Sequence, residues 1–155
     1  MIHRAVKQRQ FKAIRLLVQN SHIKNIIDYL ENNGAIKFAY LFGSCARNAT
    51  GPLSDIDLAV YLDKRFDYFL ARLRFMGDLD RLLKGHPFDL VILNETLLVL
   101  QYEVIRLNSI LKENKNRRIP FETRVIREYL DTEPLREVHR QKLKDSFSKE
   151  YELGQ

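Results

Sequence analysis

Most of the residues that staple a small protein together are scarce here. A single cysteine, Cys45, leaves no internal disulfide framework and fits a reducing cytoplasm. There is no tryptophan, and only four histidines, His3, His22, His86 and His139, occur, at no metal-ligand spacing. No apolar run approaches the roughly 18 residues that cross a bilayer, so no membrane partner is expected. The first twenty residues lack the apolar stretch of a signal peptide. They also lack any acid. Arg4, Lys7, Arg9, Lys12 and Arg15 fall there, so most of the net charge of +6 sits at one end. The remainder is close to neutral, which argues against direct nucleic-acid binding by the domain.

What is present suits one α/β domain. The chain has 155 residues, 45% of them hydrophobic, enough for a core without staples. Residues 1–20 read as a basic extension, with Phe11, Ile14, Leu17 and Val18 at helical spacing. Ser21 can cap a helix with Ile23, Ile26, Ile27 and Leu30 inside, ended by Asn33-Gly34. Residues 36–42 and 55–62 read as strands, and 88–93 as a third. Between the last two, Phe66, Phe69, Leu70, Leu73, Met76, Leu79 and Leu83 trace one face of a long helix stopping at Gly85. Asn94 can cap the next helix, over roughly 95–107. A brief strand follows at 109–113. The charge-rich tail is helical, with Phe121, Val125, Ile126 and Tyr129 inside, Tyr129-Leu130 as core, and a restart at Glu133-Pro134. Lys115-Asn116-Arg117-Arg118 reads as a solvated stretch. The expected division is 1–20, a catalytic domain at 21–113, and a helical C-terminal extension at 114–155 packed on the same domain.

The chemistry lies in FGSCARNATGPLSDIDLAV, residues 42–60. Asp55 and Asp57 fall one residue apart in a segment that otherwise reads as buried strand. Alternation puts them on one face, about 7 Å apart at ~3.3 Å per residue. Like charges so placed repel, and the usual remedies are a shared proton or a hard divalent cation such as Mg²⁺. Upstream, Gly43-Ser44 stands where a strand feeds, through a tight turn, a short helix, and free N–H groups and a hydroxyl there can hold a phosphate. Arg47 adds positive charge nearby. Asp89, in HPFDLVIL, repeats the anomaly of a charge within an apolar strand and is the third candidate carboxylate. Phosphate cradle and carboxylates together describe phosphoryl or nucleotidyl transfer. Cys45 reads as a small buried turn residue.

Gly43-Ser44, Asp55-Ile56-Asp57 and Asp89 resemble the pattern of the polymerase-β-type nucleotidyltransferase superfamily in its minimal (MNT) form. The tail RIPFETRVIREYLDTEPLREVHRQKL is similar to the C-terminal helices of MntA-type antitoxins, partners of HEPN-domain toxins. The resemblance implies a small mixed sheet flanked by helices. It implies two Mg²⁺ ions held by Asp55, Asp57 and Asp89, and the triphosphate of ATP gripped at Gly43 and Ser44. It further implies that AMP passes to a tyrosine of a HEPN toxin encoded by the adjacent gene, silencing that RNase in the cytoplasm. Asn48 stands where the family often has glycine, and asparagine tolerates the left-handed conformation such a turn needs. The alternatives are a nucleotidyltransferase acting on a small hydroxyl substrate such as an aminoglycoside, and a non-catalytic antitoxin that binds its toxin stoichiometrically.

Overall fold

The computed structural model describes residues 21–43 and 55–142. Within them the order is α1 (Ser21–Asn32), β1 (Ile36–Phe42), β2 (Ile56–Leu62), α2 (Tyr68–Leu83), β3 (Phe88–Ile92), α3 (Leu98–Arg106), β4 (Ser109–Lys112) and α4 (Lys115–Asp131). A further helical segment covers 133–142. The strands form one mixed sheet in the order β3-β2-β1-β4. β1 is antiparallel to β2 and β4, whereas β2 and β3 run parallel through the α2 crossover. The expected fold class is borne out.

Alternation along the strands sorts side chains onto two faces. Ile56, Leu58, Val60 and Leu62 of β2 join Leu90 and Ile92 of β3 against α1 and α2. Ala59 and Tyr61 turn the other way, with Phe38, Tyr40 and Val91, toward Val104, Phe121 and Val125 of α3 and α4. A bulge between Ile36 and Phe38 lets both Ile36 and Leu41 face α1. Leu58 is wholly buried between the layers, and a side chain so placed contributes about 2 kcal/mol of transfer free energy.

Several expectations need correction. Asn94 caps no helix. Its carbonyl accepts from Leu62 N at 2.8 Å and its amide donates to Leu62 O at 3.1 Å, mimicking one more strand pairing. α3 therefore starts only at Leu98, with no side-chain cap. Residues 115–118 are the first turn of α4 rather than a loop, with Lys115, Asn116 and Arg117 exposed to solvent. Asn114 caps that turn, and Arg118, mostly shielded, bridges Glu113 and Glu122 at 2.7 Å each. Leu130 and Ile126 are exposed, because the inner line of α4 runs through Phe121 and Val125 only; Tyr129 instead stacks on Tyr102 at 3.6 Å. The inner face of α2 is Phe75, Leu79 and Leu83, not the series beginning at Phe66. Cys45 and the basic extension lie outside the described residues.

Candidate active site

Three strand ends meet at one edge of the sheet, and the pairing fixes what they carry. Asp57 stands opposite Phe42 of β1 on one side and opposite Asp89 of β3 on the other. Both aspartates occupy positions of the α3/α4 face, where Ala59 and Val91 begin the apolar layer one alternation further along. Asp55 immediately precedes β2. The sheet register thus brings together two carboxylates that lie 32 residues apart in the chain.

Gly43 closes the site from β1. Its φ of +69° lies in the left-handed region, where side chains are strained. A Cβ built there would fall 1.9 Å from Asp57 Oδ2 and 2.8 Å from its Cγ. Glycine is therefore required twice at this position, for the turn and for room beside the carboxylate. That close backbone also explains why Asp57 is half-buried while Asp55 and Asp89 are exposed.

Among the described residues, like charges meet here. The Asp57 carboxyl is raised above the ordinary carboxylate value, first by burial, then by the charges of Asp89 and Asp55. Among the described residues, neither Asp57 nor Asp89 has a hydrogen-bond or ion-pair partner. Such a pair fits a hard cation. Among the described residues no three His, Cys, Asp or Glu side chains, Asp55, Asp57 and Asp89 included, gather into a group that could hold a metal ion. Mg²⁺ needs no such three, since it is held by one or two carboxylates and completes its shell with waters and substrate phosphates. Ser44 and Arg47, expected to hold phosphate, lie outside the described residues.

Sequence reasoning missed a stacked pair, His22 of α1 and His86 before β3, with ring centroids 5.3 Å apart. They are separated by 64 positions, and no local pattern announces their meeting.

A family model described as polymerase beta, nucleotidyltransferase matches residues 24–117, from α1 into the first turn of α4. The chain belongs to the polymerase-β nucleotidyltransferase family. Solved structures agree with that placement. A chain of a toxin–antitoxin complex with AMP-PNP is similar at a TM-score of 0.67 and 26% identity, over 79% of this chain and 98% of the other. A chain from the complex of tri-AMPylated Shewanella oneidensis HEPN toxin with MNT antitoxin gives 0.63 and 25%, over 79% and 96%. The MntA–HepT toxin–antitoxin gives 0.58 at 23%, over 89% and 98%, a likeness of fold. The resemblance to minimal nucleotidyltransferases of HEPN/MNT systems, read from the sequence, is borne out. Comparison with curated proteins finds no match. In this nucleotidyltransferase no described helix is long and apolar enough to cross a membrane.

Proposed function

We propose that this nucleotidyltransferase is an antitoxin that transfers AMP from ATP to a tyrosine of a HEPN-domain toxin in the cytoplasm. The reading is carried by one observation: Asp57 and Asp89 stand in register, with no ion-pair partner among the described residues, beside a glycine that admits no side chain. The similarity to chains of toxin–antitoxin complexes, one with AMP-PNP and one with an AMPylated HEPN toxin, supports the donor, the acceptor class and the partner.

In this reading Asp55, Asp57 and Asp89 are the catalytic carboxylates and would hold two Mg²⁺ ions. Bound there, the metal would supply charge neutralisation for the triphosphate and the in-line displacement. Asp57, with its carboxylate against the backbone of Gly43, would stand beside the phosphate turn. Gly43, Ser44 and Arg47 receive the outer phosphates, which leave as pyrophosphate. The tyrosine oxygen forms the new bond to the α-phosphorus, the bond to the bridging oxygen breaks, and the phenolic proton passes to solvent.

The test is intact-mass spectrometry of the HEPN toxin encoded beside this chain. It is incubated with Mg²⁺ and each of ATP, GTP, CTP and UTP, with an Asp55→Ala/Asp57→Ala control. An adenylyl mass increment with ATP, absent in the control, is the expected result. A stable complex without any increment would sink the enzymatic reading and leave a stoichiometric antitoxin.

A further inference from the structure

The sheet ends in two edge strands, and they are finished differently. β4 pairs with β1 over four residues, through a register shift where β1 passes from Ala39 to Tyr40. It ends in Lys112, whose ammonium reaches α1 and donates to Leu30 O at 2.6 Å and Asn33 O at 3.0 Å. A short strand, a bulge and a lysine are devices that keep a further strand from pairing with an edge. β3 uses none of the three. FDLVI pairs with β2 over five residues with no register shift, and it holds neither lysine nor proline. Its one charge is Asp89, a carboxylate of the candidate active site.

Two hydrogen bonds show which backbone groups β3 leaves open. Ile56 N donates to Pro87 O at 3.1 Å, and Leu93 N donates to Val60 O at 2.9 Å. Along a strand the groups facing one neighbour alternate, so residues 87, 89, 91 and 93 turn theirs toward β2. Pro87 therefore lacks its N–H on the β2 side and not at the edge. The N–H and C=O groups of Phe88, Leu90 and Ile92 turn outward. Among the described residues only Ile92 O is engaged, by Glu95 N at 3.2 Å and Thr96 Oγ1 at 2.7 Å. The rest form a template for one more strand.

Alternation also decides what such a strand carries. Its residues beside Asp89 and Val91 point to the α3/α4 face, one inter-strand spacing of about 4.8 Å from β3. A tyrosine there spans that spacing and brings its hydroxyl to the carboxylates. The residues on either side of the tyrosine fall beside Phe88 and Leu90, at the apolar α1/α2 layer, and so are apolar themselves. A second copy fits less well. Two β3 strands paired about Leu90 across a two-fold axis would run antiparallel, with both Asp89 side chains on one face. As diagonal neighbours about 7–8 Å apart they would add like charge where Asp57 and Asp89 already meet.

We infer that the open edge of β3 receives the acceptor segment of the HEPN toxin as a fifth strand, its tyrosine beside Asp89 on the same face. This rests on the reading of the chain as an adenylyltransferase acting on a HEPN toxin, and adds how the acceptor is held. Strand pairing supplies what transfer requires, because register fixes which side chain faces the carboxylates and a slip of one residue turns it away.

Amide hydrogen exchange, read residue by residue by NMR on the full chain, tests it. The chain is measured alone and with the HEPN toxin encoded beside it, whose acceptor tyrosine is replaced by phenylalanine so that no AMP is transferred. In the complex the amides of Phe88, Leu90 and Ile92 should exchange at least ~10-fold more slowly, because each gains a carbonyl partner. Those of Asp89, Val91 and Leu93, already turned to β2, should change less. Phe88→Pro removes one outward donor and spares the β2 ladder, and should weaken toxin binding at least ~10-fold in calorimetry. Should that variant not fold, the exchange measurement carries the test. A wild-type toxin that binds and is adenylylated, while the three amides exchange in the complex as they do in the free chain, overturns the docking edge and leaves the adenylyltransferase reading standing. A toxin that gains no AMP in the intact-mass test overturns both. Three amides already slow in the free chain mean that the chain covers its own edge, which overturns the inference. Protection that rises with the concentration of the chain alone, with a dimer in sedimentation, overturns it in favour of a second copy.

Discussion

The two ends of β2 carry the same residue type in opposite circumstances. At the leading end Asp57 faces Asp89 and Asp55, and its carboxyl is pushed up. Just past the trailing end, Asp63 is met by Lys37 at 3.0 Å and Arg65 at 3.1 Å, and its carboxyl is held far below the usual range, chiefly by hydrogen bonds from Arg65. One end is balanced by the chain's own cations. At the other, neither Asp57 nor Asp89 has an ion-pair partner among the described residues, which makes that end the candidate ligand site.

That contrast can be broken at several points. Removing a carboxylate at the leading end should have the largest effect. Asp57→Ala or Asp89→Ala is expected to lower adenylyl transfer at least ~100-fold without lowering Tm, as judged by intact mass and thermal melting together. Transfer that survives either change would remove that residue from the catalytic set.

Gly43→Ala comes next. It forces a side chain into a left-handed φ and into Asp57, so transfer should fall at least ~10-fold and stability by about 1–3 kcal/mol in chemical denaturation. Wild-type behaviour would mean that the turn relaxes without moving Asp57.

A smaller, sign-reversed effect should come from Asp57→Asn. Because folding raises the Asp57 pKa, its charge costs stability at pH values above that pKa, and the cost fades as pH falls through it. At pH 7 without metal the variant should melt a few degrees higher than the wild type, with the gap closing in acid. Mg²⁺ should raise the Tm of the wild type and not that of the variant. Equal metal response in both proteins would place the cation elsewhere.

The smallest effect belongs to the balanced end. Asp63→Asn should lower Tm by no more than a few degrees at pH 7, since its partners are near the surface. A depressed pKa contributes stability above the unfolded value of about 4 and loses it as pH falls further, so this gap should shrink in acid as well. The two aspartates would then show opposite signs of one linkage.

The strands were legible because each is a short apolar run bounded by turn residues, and the site was legible because charge in such a run is an anomaly. Asp57 and Asp89 announced themselves separately by that rule. Their meeting was implied by the family resemblance and not by that rule, since register between parallel strands is set by the crossover and not by local pattern. Asn94 was misread for a related reason. An asparagine before an apolar run is a good cap by local rules, but the end of β2 presented unpaired backbone groups that bound it first.

α2 shows most clearly where local pattern stops. Its apolar residues cover both sides, and periodicity cannot say which side faces the sheet. What the sequence determined by itself was the order of the elements, the layered α/β class and the residue types able to hold a metal and a phosphate. Tertiary structure alone decided the rotation of α2, which buries Phe75, Leu79 and Leu83 and leaves Phe69 and Leu73 outside. The reason is physical: periodicity records how much apolar surface a helix has, while burial depends on which part of it the β2–β3 crossover presses against the sheet.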